Sequence, residues 1–439
     1  MVTTAFVKIW GETVGAVALN ESTRIASFEY DKKFLQKDWD LSPIKMPISS
    51  PTPIFSFPEL RPQRNSEYDT FKGLPGLLAD ALPDKYGNQL INSWLSRNGR
   101  ASNSMNPIEQ LCFIGERGMG AIEFEPSQMT ISKRTFSIEL DSLVDVAQKM
   151  LSNREDFKTG INEGSEKAIK EILKIGTSAG GARPKAVIAF NKKTGEVKSG
   201  QTRAPKGFEH WLIKLDGVSD EQFGTSQGYG RVEMAYYHMA KDCGIDIMES
   251  HLLEENGRAH FMTKRYDREG SMTKHHVQTW CAMQHVDFND VHSFSYEQLF
   301  QTMRILNLPY RDMEQMFRRM VFNLISKNCD DHTKNFSFRL KQNEPWELAP
   351  AYDLCYAYRA DSIWVSQHAL SINGKRKDFV LEDLLAVADL VRVKKANNII
   401  EEIQGVVSNW VMYAKETGLS AEMRELIGGN HVLIESDDC

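Results

Sequence analysis

Apolar and polar positions divide the chain into a front half that reads largely as strands and a back half that reads as helices. Residues 5–18 (A-F-V-K-I-W-G-E-T-V-G-A-V-A) form two β-rich runs around a turn near Gly11, the pattern of a hairpin. From Leu74 to Leu95 apolar residues recur at helical spacing, with Pro83 placed to break or start a helix. Ala121-Ile-Glu-Phe-Glu-Pro126 alternates apolar and acidic residues after the turn Gly118-Met119-Gly120 and predicts a strand closing a first domain. Residues 127–165 are rich in Ser, Asp, Glu and Lys and read as a connector with one helix near Leu140–Leu151. Ala186–Phe190 and Glu209–Leu215 are β-like. Gln227–Cys243 is helix-like, with Gly244 placed as its C-cap. Ile247–Leu253 and His260–Lys264 flank Glu255-Asn256-Gly257, and Asn-Gly between apolar runs is a strong hairpin signal. From Tyr296 onward the periodicity is mostly helical, clearest over Phe379–Val391 and Lys395–Tyr413; the Met and aromatic residues of Met313–Phe322 fall at helical spacing and are expected in the core.

Composition narrows the class. The chain has 439 residues, enough for two or three domains, with ordinary apolar and charged fractions. A formal net charge of −6 argues against general coating of nucleic acid, though not against a local basic patch. Six scattered cysteines with no C-x-x-C pair make a disulfide framework an unnatural reading and point to a reducing cytoplasm. No segment approaches the roughly 20 apolar residues that span a bilayer, so no membrane association is expected.

Four clusters have the composition for phosphoryl chemistry. Gly176-Thr-Ser-Ala-Gly-Gly-Ala-Arg-Pro-Lys185 precedes a strand; small residues let backbone N–H groups approach phosphate oxygens, and Arg or Lys adds charge. It lacks the G-K-[ST] ending of a Walker loop and, alone, reads first as a flexible loop. Lys214 lies inside an apolar strand and should meet an anion, as the strand lysine of kinases does; a solvent-facing edge lysine is an equal reading. Glu233, early in the next helix, has the place of that lysine's glutamate partner, although a solvated helix residue accounts for it more simply. Cys329-Asp-Asp-His-Thr-Lys-Asn335 carries an aspartate and, five residues on, an asparagine, the kinase spacing for a base and a metal ligand; a turn rich in N-capping residues is the competing reading. Asp353, in Leu348-Ala-Pro-Ala-Tyr-Asp-Leu354, follows a short strand-like stretch at Phe336–Leu340 and has the place of the second metal aspartate. By itself it is equally an ordinary turn residue; the two clusters at this separation are far more specific than either. His275, His276, Cys281, His285 and Asp287 lie close in sequence but match no usual four-ligand zinc spacing.

In this order the motifs resemble the HipA-like kinase toxins of bacterial toxin–antitoxin systems, over nearly the whole chain. Phe71–Asp84 resembles the family's segment ending in A-L-P-D, Ile114–Ile122 its I-G-x-x-x-x-G-A run, and Ser178–Lys185 its phosphate loop. Lys264–Arg268 is similar to the E-R-F-D-R hinge, and Asp330–Asn335 with Ala351–Asp353 to the catalytic and metal motifs. The resemblance implies an α+β, two-lobed fold related to protein and phosphoinositide kinases, with an extra β-rich N-terminal domain and a mostly helical C-terminal lobe. It implies residues 1–128 as the N-terminal HipA-type domain, 129–280 as the N-lobe and 281–439 as the C-lobe. It further implies a Mg- and ATP-dependent serine/threonine protein kinase acting as a toxin. Asp330 is then the catalytic base, and Asn335 and Asp353 hold magnesium. Gly180, Gly181, Ala182, Arg183, Pro184, Lys185 and Lys214 contact ATP, with His332 and Lys334 near its phosphates and the backbone of Lys264, Arg265 and Tyr266 at the adenine. Ser178 is the autophosphorylation site, with Thr177 as a neighbouring candidate; about two added negative charges there would crowd the ATP phosphates and switch the enzyme off.

The implied partners are a protein substrate, often an aminoacyl-tRNA synthetase in this family, and a small helix-turn-helix antitoxin of the HipB type, with DNA reached only through that antitoxin. Lys264 stands where the family often has Glu. Asp331 stands where it often has Gly and adds a carboxylate beside the catalytic one. His275–Asp287 does not reproduce a Q-E-D segment known in the family. Two other functions fit the clusters: a small-molecule kinase of the aminoglycoside type, and a binding protein that acts as co-repressor with an antitoxin.

Overall fold

In the computed structural model the described residues are 2–62, 69–128, 140–151, 173, 176, 183–200, 203–218 and 228–434. They group into two compact units, each drawn from separated stretches: the first from Met1–Gln227, Leu253–Val277 and Lys341–Glu344, the second from Gly228–Leu252, Gln278–Leu340 and Pro345–Cys439.

The first unit opens with a five-stranded sheet of β1 (Thr4–Ile9), β2 (Glu12–Asn20), β3 (Ile25–Tyr30), β4 (Ile54–Ser56) and β5 (Ile122–Glu125), in the order β4-β3-β2-β1-β5. Ala5, Val7 and Ile9 of β1 are buried while Thr4 and Phe6 face out, the period-two pattern of a half-buried strand. Trp10 and Gly11, both at positive φ, turn β1 into β2, the two-residue connection that matches strand twist. The expected hairpin and the closing strand are both present, since β5 pairs with β1. The third and fourth strands were not anticipated, although Ile25–Tyr30 alternates buried and exposed residues.

Helices α1 (Gly76–Ala79), α2 (Lys85–Arg97), α3 (Pro107–Ile114) and α4 (Leu140–Leu151) follow. Pro83 falls in the break between α1 and α2, as expected. A capping box starts α3: the Asn106 side chain accepts from the Glu109 N–H, and the Glu109 carboxylate accepts from the Asn106 N–H. A second five-stranded sheet contains β6 (Lys185–Phe190), β7 (Val197–Ser199), β8 (Glu209–Lys214), β9 (Ser250–Glu255) and β10 (Arg258–Lys264), in the order β7-β6-β8-β10-β9. The chain enters the first unit within β9. Asn256 and Gly257, both at positive φ, make the predicted two-residue turn into β10. The core between helices and sheet includes Tyr86, Leu90, Phe113, Leu143, Trp211 and Met262. A short hairpin of β11 (Arg268–Glu269) and β12 (Thr273–Lys274) completes this unit.

The second unit is mainly helical: α5 (Tyr229–Asp242), α6 (Trp280–Gln284), α7 (Tyr296–Ile305), α8 (Tyr310–Ile325), α9 (Leu381–Val391), α10 (Ala396–Ser408), α11 (Trp410–Glu416) and α12 (Ala421–Gly428). Gly244, at φ +67, donates its N–H to the Lys241 carbonyl just past α5, the predicted C-cap. Helix α8 is the spine: Met316, Phe317, Met320, Val321 and Phe322 are fully buried, as their spacing predicts. Beyond it, β15 (Ser337–Leu340) and β16 (Trp346–Leu348) form a hairpin in a three-stranded sheet with β13 (His276–Thr279), while β14 (Phe294–Ser295) pairs in parallel with β17 (Leu370–Ser371). No helix among the described residues is long and apolar enough to cross a membrane.

Candidate active site

The segment after α8 is set by its own alternation. Lys327 takes a left-handed turn at φ +57, Asn328 bridges to Ala357 in parallel, and the Cys329 N–H donates to the Ala357 carbonyl at 3.0 Å. From there burial alternates residue by residue into His332, whose backbone is extended. The Asp330 side chain is half exposed (52%), Asp331 is buried, His332 is partly exposed, Thr333 is buried, and Lys334 and Asn335 are partly exposed. The chain tightens into a 3₁₀ turn at Thr333–Asn335, where the Asn335 amide nitrogen donates to the Asp330 carbonyl at 2.5 Å. That bond assigns the Asn335 nitrogen and leaves its oxygen as a hard donor atom.

Asp331 corrects a sequence-based expectation. It does not add a second carboxylate beside Asp330: its side chain is fully buried and turned into the unit. Its Oδ2 accepts from His368 Nδ1 and from the Tyr296 hydroxyl, both at 2.9 Å, and its Oδ1 accepts from the Ala369 N–H at 2.8 Å. Burial alone would lower the His368 pKa, but the Asp331 charge and hydrogen bond outweigh it, and the ring is pushed up to about 10. Burial, with the Asp331 charge beside it, raises the Tyr296 phenol well above its ordinary value, so it stays a donor. The network continues: Asn323 Nδ2 donates to the Tyr296 oxygen at 3.1 Å, and Asn328 Nδ2 donates to Asn323 Oδ1 at 2.9 Å and to the Asp353 carbonyl at 3.4 Å.

Asp353 follows the β15–β16 hairpin, where the Ala351 N–H donates to the Asp246 carbonyl at 2.7 Å. Its backbone sits at φ +53, a conformation that Asp tolerates better than bulky residues but that still needs support from its surroundings. Beside it, the Tyr352 hydroxyl donates to the Lys334 carbonyl at 2.8 Å and shares a 2.5 Å hydrogen bond with the Ser337 hydroxyl. Asn335 and Asp353 line one small cavity together with Asn328, Asp331, Tyr352 and Arg319. An amide oxygen and a carboxylate at one cavity are hard donors that suit magnesium completed by phosphate oxygens and water; no group of three or more His, Cys, Asp or Glu side chains converges among the described residues.

The loop after α6 packs on the outer face of the same segment. Thr333 Oγ1 donates to the Val286 carbonyl at 2.8 Å. Phe288 lies 5.2 Å from the His332 ring and 5.0 Å from Lys334 Nζ, a cation–π distance. His332 Nε2 is 3.7 Å from Asp330 Oδ1. Within the His275–Asp287 cluster, Cys281 is buried in α6, His285 takes a left-handed turn at the helix end, and Asp287 Oδ1 accepts from the Asn289 N–H.

In the first unit, Lys185 and Lys214 are directly opposite in the β6–β8 register, so their side chains share one face of the sheet. Like charges placed opposite one another repel, and an anion beside them relieves that cost. Lys214 Nζ also lies 5.8 Å from the Phe261 ring. The Leu215 N–H donates to the Pro184 carbonyl at 2.9 Å, extending the pairing toward Arg183. Thr177, Ser178, Gly180, Gly181 and Ala182 lie outside the described residues. Lys264 pairs with Glu209. Arg265 sends its N–H to the His210 carbonyl at 3.0 Å and its buried guanidinium to Asp267 at 2.6 Å.

Asp267 also accepts from Arg268 and from the Gly120 N–H, and Arg268 donates to the carbonyls of Gly118 and Gly120. Burial would raise the Asp267 pKa, but the two arginines hold it far below the usual carboxylate range. The hinge-like motif and the Ile114–Ile122 motif are therefore one buried knot, and the Arg265 side chain belongs to it. Tyr266 follows Arg265 in the turn after β10. Glu233, expected to be solvated, is buried in α5. Sequence reading missed Tyr296, Asn323, Asn328, Tyr352 and His368. A buried Asn or His in an apolar helix or loop gives no spacing signal.

Comparison with known proteins places two family models on the chain: the HipA N-terminal domain over residues 5–125 and the HipA-like C-terminal domain over residues 177–410. A Sinorhizobium fredii protein named "Putative kinase Y4mE" is 27% identical over 125 residues, a stretch that is 26% of this chain and 30% of that relative. The chain thus spans under a third of the curated relative it matches. Among solved structures, a chain of the Shewanella oneidensis MR-1 complex of HipA, HipB and operator DNA superimposes with a TM-score of 0.65 at 16% identity, covering 97% of this chain and 94% of that one. The likeness shows the fold.

Proposed function

The chain belongs to the HipA-like family, and on that premise we propose that it is a serine/threonine protein kinase that acts as a toxin and uses ATP with magnesium. The observation that carries this reading is the meeting of Asn335 and Asp353 at one cavity, with Asn335 hydrogen-bonded to the backbone of Asp330. Asp330 is the base: its half-exposed carboxylate takes the proton of the acceptor hydroxyl as that oxygen bonds to the γ-phosphorus and the bond to the ADP oxygen breaks. Asn335 and Asp353 would hold magnesium, whose charge neutralises phosphate oxygens when bound. Lys334 and His332 stabilise the phosphoryl group in flight. Lys185 and Lys214, with Gly180, Gly181, Ala182, Arg183 and Pro184, bind the ATP phosphates, and the backbone of Lys264, Arg265 and Tyr266 meets the adenine. Autophosphorylation of Ser178 would place negative charge in that loop and turn the enzyme off.

The remaining assignments follow from the family reading, and the HipA–HipB–DNA complex of the same fold supports those of antitoxin and DNA. The assignments are a protein substrate of the aminoacyl-tRNA synthetase class, a small HipB-type helix-turn-helix antitoxin, DNA contact through that antitoxin, and a cytoplasmic setting. The proposed modules are 1–128, 129–280 and 281–439; the HipA N-terminal model over 5–125 supports the first, while the C-terminal model over 177–410 spans the second boundary. The test is incubation with γ-labelled Mg-ATP followed by mass spectrometry. We expect label on the chain and none on Asp330→Asn, with ATP binding retained; equal labelling of that variant would remove Asp330 from its role.

A further inference from the structure

We propose that His368 is a positioning residue for phosphoryl transfer: through its buried bond to Asp331 it fixes the loop that carries Asp330 and Asn335, and so ties that loop to the segment running on from Asp353. The inference rests on the kinase reading of Asp330. Three separate junctions button the two segments together. Asn328 Nδ2 reaches the Asp353 carbonyl at 3.4 Å. Lys327 and Cys329 exchange backbone bonds with Ala357 at 3.1 and 3.0 Å. His368 and Ala369 both donate to Asp331, at 2.9 and 2.8 Å. The third is the one that grips a side chain adjacent to the proposed base.

The pair is built to hold a direction rather than to add burial. Asp331 and His368 have side-chain exposures of 0% and 2%, and taking two charges out of water is costly. An apolar pair of similar volume would serve stability as well or better. What a carboxylate gripped by an imidazole, a phenol and a backbone N–H adds is an orientation fixed at three points. With Asp331 pinned inward, its neighbour Asp330 is held at the exposed side of the loop. His368 is itself fixed: its N–H donates to the Arg376 carbonyl at 3.0 Å, and its ring stands edge-on to Phe379 at 5.6 Å. The neighbouring Cys329 sulfur also faces the ring and is fully buried, so it is not open to outside reagents.

The test compares the full-length protein with His368→Gln, which retains a donor without the charge, and His368→Leu. Two quantities are read: steady-state ADP release from Mg-ATP, as kcat and KM separately, and hydrogen exchange of the backbone over residues 328–336. A misplacement of the loop predicts a loss of about 10- to 100-fold in kcat for His368→Leu with KM for ATP within about twofold, and a smaller loss for His368→Gln. Exchange should rise over 328–336 and stay as in the parent across α8. If His368→Leu does not fold, His368→Gln alone decides. Parent-like exchange over 328–336 in a folded variant, or a rise spread evenly over the whole second unit, overturns the proposal. If the parent releases no ADP, the kinase reading fails while the exchange arm still decides whether His368 holds the loop.

Discussion

At the scale of single residues, Asn335 and Asp353 line one cavity, and the Asn335 amide donates to the Asp330 carbonyl. Asp330, Asn335 and Asp353 stand out in the sequence because phosphoryl transfer needs a carboxylate and hard oxygen donors at set intervals. Asp331 was misread because its partner, His368, lies in a segment with no periodic pattern, and nothing local says which way a carboxylate turns. The buried pair has consequences for stability. Removing one partner leaves the other charge uncompensated, so Asp331→Ala should destabilise the protein by about 3–5 kcal/mol in urea unfolding. The His368 pKa in the folded protein, about 10, lies above the value of roughly 6.5 for an unfolded chain. The pair's stabilisation is therefore fully present below about pH 6.5 and declines as pH rises toward 10. Unfolding midpoints measured across that range should fall more in the parent than in His368→Gln; parallel curves would show that the ring is not charged in the fold.

At the scale of elements, the reading succeeded where one face is buried and failed where pairing is non-local or the element is short. Leu140–Leu151 and the Asn256-Gly257 hairpin were read directly from apolar spacing and turn chemistry. Strands β3 and β4 were passed over because what defines them is their neighbours in the sheet. Helix α3 was passed over although its start is written in Asn106-Pro-Ile-Glu109, a capping box with proline at the first helical position. The box makes a quantitative expectation: Asn106→Ala, which also loses a bond to the Val2 carbonyl at 2.8 Å, should cost about 1–2 kcal/mol in chemical denaturation. A cost near zero would mean that solvent satisfies the end of α3 as well as the asparagine does.

For the whole molecule, reading in chain order yields consecutive blocks, whereas the described residues group by long-range pairing. Each unit takes three stretches of chain, and β10 enters the second sheet of the first unit from beyond α5. No periodicity announces such a return, because it depends on which strand edge is left open. The return bears on genetic dissection of the gene. A stop codon after Gln227 would strip β10 and β9 from that sheet, take Met262 from its core, and leave β8 as a bare, apolar edge prone to self-association. Such a product should be recovered as aggregate or lack near-ultraviolet dichroism, so loss of a phenotype on truncation would report failed folding rather than the location of an activity.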